Sequence, residues 1–247
     1  MVGLVAGVFG GLVGLGGGAV MVPMMVSFMG MSQHKAVGTS LVAVFFTAIA
    51  GAFAYGSQRS IDWKAAIIIA LSAIALARFG AKFAGSLPDW KLKRFFGYYL
   101  IVASALLLIK PYLPALGWAS VGLGKLVVLL VSGATAGFFS GLLGVGGGTM
   151  MVPGMVLLAG FSQLLAQGTS LVAMVPSSMV GSYVHNQMGN VDRRNLPMLV
   201  PGVLIGGTVG GYLAHFLGDN SLRIMFAVVL LWTASRYLGA KPKVASR

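Results

Sequence analysis

Gly11-Leu12-Val13-Gly14-Leu15-Gly16-Gly17-Gly18 and Gly141-Leu142-Leu143-Gly144-Val145-Gly146-Gly147-Gly148 are two versions of one segment, 130 residues apart. The same offset relates Met21-Val22-Pro23 to Met151-Val152-Pro153. It also relates Gly38-Thr39-Ser40-Leu41-Val42-Ala43 to the identical Gly168-Thr169-Ser170-Leu171-Val172-Ala173. Ser32-Gln33 pairs with Ser162-Gln163, Asp62 with Asp192, Gly80 with Gly210, Asp89 with Asp219 and Leu92 with Leu222. Chance matches in apolar sequence would scatter over many offsets. One offset held from Gly11 to Leu92, across loop aspartates as well as glycines, is an internal duplication.

Composition says where the two copies reside. Of 247 residues, 57% are hydrophobic and 9% charged, and the mean hydropathy is +0.92. A soluble domain carries about 25% charged residues, so this chain has too few charges to cover a water-facing surface. Apolar runs with few charges, long enough to cross a hydrocarbon core of about 30 Å, are Ala36–Tyr55, Trp63–Ala84, Lys93–Ile109, Gln167–Val184, Leu196–Phe216 and Leu222–Tyr237. Val2–Gly30 and Leu126–Phe161 are longer than one span and carry the glycine breaks. The expectation is an all-α polytopic membrane protein of two homologous halves, with about 8 hydrophobic segments and a Gly-broken first helix in each half. The expected division is residues 1–109, a linker at 110–124 with Pro111 and Pro114, and residues 125–247. No basic leader with a small-residue cleavage site opens the chain, so a removable signal peptide is not expected.

The net charge of +13 comes from 17 Lys and Arg against 4 Asp and no Glu. These cations stand singly or in small groups between apolar runs, as membrane-surface anchors do. They form no basic stripe with interleaved aromatics, so nucleic acid is not an expected partner. The expected partners are the lipid bilayer and a small anionic substrate, with a homo-oligomer neither required nor excluded by the sequence. With no Cys, no carboxylate in a span and no paired His, the spans offer no nucleophile or metal site. Neither an enzyme nor a cofactor is expected.

Loop charges do not decide whether the halves are parallel or inverted. Either arrangement puts ten cations on one side and five on the other, and Lys82 joins the majority only if the halves are inverted. Length favours inversion: at about 1.5 Å per residue, Val2–Leu15 reaches about two thirds of the way across the core.

Three successive glycines end a helix, since each costs about 1 kcal/mol relative to Ala inside one. Broken backbone at membrane depth survives where it is buried in protein or lines a polar cavity. A helix restarting after Gly16, Gly17 and Gly18, or after Gly146, Gly147 and Gly148, offers N–H groups and a positive dipole end to an anion. The alternative is that these glycines only let helices pack closely. Thr39, Ser40, Thr169 and Ser170 are candidate hydroxyl ligands, with helix capping as the competing role. Gln33, Gln163 and Gln167 are weaker candidates. Arg78 follows thirteen uncharged residues in its span and is a substrate candidate; snorkelling to the headgroups is the other reading. His185 is expected at an interface, with His34 and His215 peripheral. The four Asp fall in linkers, where they suit helix caps.

Two halves bearing Gly-x-Gly-Gly-Gly, then Val-Pro, then Gly-Thr-Ser, resemble the sulfite exporter TauE/SafE family of membrane permeases over nearly the whole chain. The resemblance implies transport of sulfite, sulfonates such as sulfoacetate, or related organosulfur anions across a bacterial cytoplasmic membrane. The expected device is a carrier of alternating access with the anion between the two glycine breaks. An anion channel and a carrier of another small organic anion are the alternatives.

Overall fold

The computed structural model describes residues 1–84, 89–112 and 122–239, and of 89–93 the backbone alone. Ten α-helices run through them: α1 Val2–Val13, α2 Gly18–Phe28, α3 Gln33–Ser57, α4 Trp63–Phe83, α5 Asp89–Ile109, α6 Gly122–Leu143, α7 Gly148–Pro153, α8 Gln163–Gln187, α9 Leu196–His215 and α10 Asp219–Leu238. α7 runs on into a single π turn over Gly154–Leu158. Pro153 removes one N–H at that point. Seven helices among the described residues are long and apolar enough to cross a membrane, and Val2–Val13, Gly18–Phe28 and Gly148–Leu158 are shorter apolar helices. The chain is a multi-pass membrane protein. Most of the expected linker, residues 113–121, lies outside the described residues.

The two over-long segments each resolve into a hairpin of two helices. Gly14 caps α1 in the left-handed conformation, φ 70°, with its N–H bonded to Gly10 O. Gly144 does the same after α6, φ 67°, its N–H donating to Ser140 O at 2.8 Å. A left-handed residue at a helix end costs glycine nothing and other residues about 1 kcal/mol or more. α7 then folds back along α6, so that a Cβ on Gly147 would lie 3.4 Å from Ala136 Cβ, and one on Gly154 3.0 Å from Ser132 Cβ. α2 folds back on α1 equivalently, with the Cβ position of Gly17 3.1 Å from Ala6 C. Ser32 and Ser162 start the next helices by accepting from Lys35 N and Leu165 N.

Packing crosses between the halves. α1 packs chiefly on α9, and its repeat mate α6 packs on α4, the mate of α9. α3 lies on α8 and α5 on α10, each against its own mate. These mates run antiparallel. Gly51, late in α3, faces Leu171, early in α8; Gly181, late in α8, faces Leu41, early in α3. Likewise Gly97 faces Leu238, and Ser104 Oγ donates to Ala227 O at 3.0 Å.

Glycine spacing makes the cross-half contacts close. Gly3, Gly7 and Gly11 of α1 meet Leu199, Val203 and Gly207 of α9, and Gly202, Gly206 and Gly210 of α9 meet Leu4 and Val8 of α1, backbone against backbone. Gly133, Gly137 and Gly141 of α6 meet Ile69, Ala73 and Ala77 of α4 in the same way. Small residues at i, i+4 spacing let membrane helices approach to backbone contact, which is where van der Waals attraction is gained when lipid supplies no hydrophobic drive. Much of the chain's glycine therefore serves packing and not the breaks.

Candidate functional site

The two glycine breaks meet each other at the centre of the fold. A Cβ on Gly18 would lie 2.7 Å from Val145 C, and one on Gly148 2.9 Å from Leu15 Cα. Every residue from Gly10 to Val22 and from Ser140 to Pro153 is buried. Val44 of α3 and its repeat mate Met174 of α8 flank the junction. Cβ positions on Gly16 and Gly146 fall 2.9 and 3.5 Å from Val44 Cγ1, and 3.4 and 3.5 Å from Met174 Sδ.

Two helix starts face this junction. At α2, Val20 N and Met21 N go to Gly17 O, which leaves Gly18 and Ala19 as the orphan donors that a helix start carries. At α7, Met150 N and Met151 N go to Gly147 O, and Gly148 N donates to Met174 Sδ at 3.2 Å. A thioether is a weak acceptor. The N-terminal end of α7 is thus covered by a flexible apolar side chain and not by a strong hydrogen-bonding group.

Ser40 and Ser170 reach the breaks, but they serve the carbonyl ends. Ser40 Oγ lies 2.7 Å from Val37 O and 2.8 Å from Gly144 O. Ser170 Oγ lies 2.8 Å from Gln167 O and 2.9 Å from Gly14 O. Each hydroxyl proton, which an anion would need, is engaged by carbonyls in this conformation. Each serine stitches its own helix to the other half's break. Thr39 and Thr169 work elsewhere: Thr39 Oγ1 accepts from Asp192 N at 2.9 Å, and Thr169 Oγ1 from Asp62 N at 3.0 Å. They tie α3 and α8 to the loops of the opposite half.

Arg78 is exposed on the outer face of α4, whose buried face is Ala66, Ile69, Ala73, Ala77 and Gly80. The structure does not bring Arg78 to the breaks. Lys82, one turn on, is exposed as well. Of the aspartates, Asp62 caps α4 by accepting from Ala65 N, and its carboxylate pairs with Lys125 at 3.9 Å. Asp219 accepts from Leu164 N at the start of α8. Asn195 Nδ2 donates to Asp192 at 2.7 Å and Arg194 N at 3.0 Å, which holds the Asp192 carboxyl below the usual carboxylate range. The Asp89 side chain lies outside the described residues. Among the described residues no cluster of His, Cys, Asp or Glu could hold a metal.

His185, in the last turn of α8, is fully buried within the protein, with Nε2 2.7 Å from Gly141 O and Nδ1 without a partner. A carbonyl only accepts, so Nε2 carries the proton. Its repeat mate Tyr55 is buried too, its OH 3.0 Å from Gln167 Oε1 and 3.3 Å from Leu12 O. These two side chains touch the ends of α6 and α1 just before the breaks. Gln163 is also fully buried, with neither amide atom hydrogen-bonded. Reading the 130-residue offset across whole helices, and not only across identical residues, would have found Tyr55 with His185 and Val44 with Met174.

Duplicated sets of apolar helices, crossed so that two broken helices meet in the interior, define a repeat-built polytopic membrane protein. A profile of the sulfite exporter TauE/SafE family matches residues 1–237, and the chain belongs to that family. It is 29% identical to the probable membrane transporter protein YunE of Bacillus subtilis, over 94% of this chain and 93% of that protein. It is 28% identical to a probable membrane transporter of Methanocaldococcus jannaschii, over 93% and 90%. The chain is a membrane transporter by family. No solved structure matches it.

Proposed function

We propose that this protein carries small organosulfur oxyanions, sulfite and sulfonates such as sulfoacetate, across a bacterial cytoplasmic membrane by alternating access. The observation that carries this reading is the meeting of two helix starts, α2 and α7, at one buried junction where Gly148 N–H has only a thioether for an acceptor. Helix starts attract negative charge through their free N–H groups and dipole. The aspartates with described side chains stand at helix starts and loops, engaged with backbone N–H groups, which leaves the junction free of opposing carboxylates. The anion binds between Gly16–Gly18 and Gly146–Gly148 once Met174 and Val44 withdraw, with Ser40 and Ser170 holding the two breaks in register.

The halves, residues 1–109 and 125–247, are inverted with respect to the membrane. Support comes from the antiparallel mates α3/α8 and α5/α10: two equivalent helices that cross the bilayer antiparallel start from opposite faces. Inversion supplies the device for transport, because exchanging the conformations of the two halves exchanges the open side.

Flux of sulfite and sulfoacetate into proteoliposomes tests the proposal, with taurine as a zwitterionic comparison. Gly147 sits at φ −73°, a conformation any residue adopts, and its Cβ position faces Met151 and Ala136, so Gly147→Leu displaces the start of α7 from the junction without backbone strain. Loss of flux in folded Gly147→Leu is the expected result. Undiminished flux in that variant removes the junction as the site.

A further inference from the structure

We propose a second oxyanion site, separate from the glycine junction, in a pocket of about 220 Å³ between α2, the start of α3 and the last turn of α10. Ser27, Gln33, Arg236 and Tyr237 supply its polar lining, and Pro23 part of its apolar wall. The inference extends the anion reading above, yet it stands on the pocket's own residues.

Three observations carry it. Tyr237 is 4% exposed and its hydroxyl is buried without a hydrogen-bond partner. The hydroxyl finds no acceptor in the protein and Tyr237 lines the cavity, so a ligand oxygen that reaches it through a small shift of the ring would satisfy it. Arg236 lines the same cavity, and its guanidinium lies 5.5 Å from the Trp232 ring, which leaves its planar fork free to take two oxygens of one anion. Gln33, the first residue of α3, adds an amide donor at a positive helix end.

The repeat sharpens the point. At the equivalent positions of the other half, Leu106 and Leu107 replace Arg236 and Tyr237, and Leu157 replaces Ser27. Of the polar residues Gln33 alone keeps its counterpart, Gln163, whereas Val22, Pro23 and Val26 of the apolar wall repeat as Val152, Pro153 and Val156. A lining required merely to pack helices would follow the repeat. Among the described residues this set of Arg, Tyr and Ser has no repeat counterpart, so the halves differ at this position and a carrier built from them acquires an anion station on one side.

A volume of about 220 Å³ holds roughly seven waters at about 30 Å³ each. It suits a small tetrahedral oxyanion with part of its hydration shell. Sulfonate and phosphate share this chemistry, and the source is either a free anion or an anionic lipid headgroup.

Trp232 reports on the site through its contact with Arg236. In the full chain with Trp63, Trp90 and Trp118 replaced by Phe, the fluorescence of Trp232 is titrated with sulfoacetate and inorganic phosphate in uncharged detergent. The same protein is then measured in bilayers with and without phosphatidylglycerol. A saturable change is expected, with half-saturation raised at least about tenfold in Arg236→Gln and about twofold to tenfold in Tyr237→Phe. Arg236→Lys, which keeps charge but loses the fork, falls between wild type and Arg236→Gln.

A response in detergent identifies a free oxyanion, and one confined to phosphatidylglycerol bilayers identifies a headgroup. Either supports the site if Arg236→Gln weakens it. No response to either probe, or a response indifferent to Arg236→Gln, overturns it. Proteoliposome flux separates this result from the transport reading. Trp232 response without sulfite or sulfonate flux leaves the pocket standing and removes the transport reading; flux with a silent Trp232 does the reverse.

Discussion

Replacing Gly7 by Ala tests whether glycine spacing, and not hydrophobicity, holds α1 in the fold. The added methyl would lie 2.8 Å from Val203 Cα, 2.9 Å from Val203 O and 3.2 Å from Gly206 Cα. All three atoms are backbone, so no rotamer change relieves the contact. Carbon atoms pack at about 3.5–4.0 Å, so α1 and α9 must part by at least about 0.7 Å, and a gap of 0.5–1 Å forfeits about a quarter to a half of each contact's attraction. Helix propensity works the other way, since Ala is favoured over Gly by about 1 kcal/mol. The control is Gly56→Ala in α3, whose methyl meets only Ile61 Cδ1 at an ordinary 3.4 Å while enjoying the same kind of propensity gain. Overpacking typically costs about 1–3 kcal/mol, so Gly7→Ala should be less stable than Gly56→Ala by that margin. Reversible unfolding in mixed micelles, followed by far-ultraviolet circular dichroism against denaturing detergent, measures the difference. Equal stability of the two variants, or a more stable Gly7→Ala, refutes the packing argument.

Removing the hydroxyl in Ser40→Ala leaves Gly144 O unpaired, and in Ser170→Ala leaves Gly14 O; each should cost about 1–3 kcal/mol in the same assay, by similar amounts because the sites are repeat mates. Thr39→Val and Thr169→Val, which remove acceptors for Asp192 N and Asp62 N, should lower stability by about 1 kcal/mol with the half-saturating anion concentration unchanged in flux assays. Asp192 has a folded pKa below its unfolded value. Its stabilisation is therefore present above the unfolded pKa of about 3.9 and disappears as pH falls through the lower folded value. The stability gap between wild type and Asp192→Asn should accordingly hold from pH 7 to about 4 and narrow as thermal unfolding is followed to lower pH. Arg78→Gln, on the exposed face of α4, should leave sulfite flux at the wild-type rate.

Membrane class, duplication, the positions of the breaks and the existence of the long helices were legible along the chain, because each depends on local composition or on a repeated register. Trp63–Ala84 and Leu196–Phe216 were expected, and the helices run Trp63–Phe83 and Leu196–His215. Caps at Ser32, Ser162 and Asp62 are likewise local, three-residue hydrogen bonds. The glycines could be located in advance. Which of them serve packing and which break a helix depends on neighbours more than a hundred residues away.

Sequence by itself established what each segment is; tertiary structure decided what each side chain faces. Thr-Ser reads as two adjacent ligand candidates in each half, yet neighbouring residues on a helix point about 100° apart. Ser40 and Ser170 thus reach the opposite break, and Thr39 and Thr169 the opposite loops. Arg78 reads as a costly interior charge, but a helix has two faces and the packed one is lined by small residues that admit α6. His185 looks peripheral by its place near a span end, until α6 is laid beside it and Gly141 O receives its Nε2 proton. Local patterns are written in the spacing of residues along one helix. Facing is set by how two copies of a repeat dock, and that depends on backbone contacts which no single stretch of sequence contains.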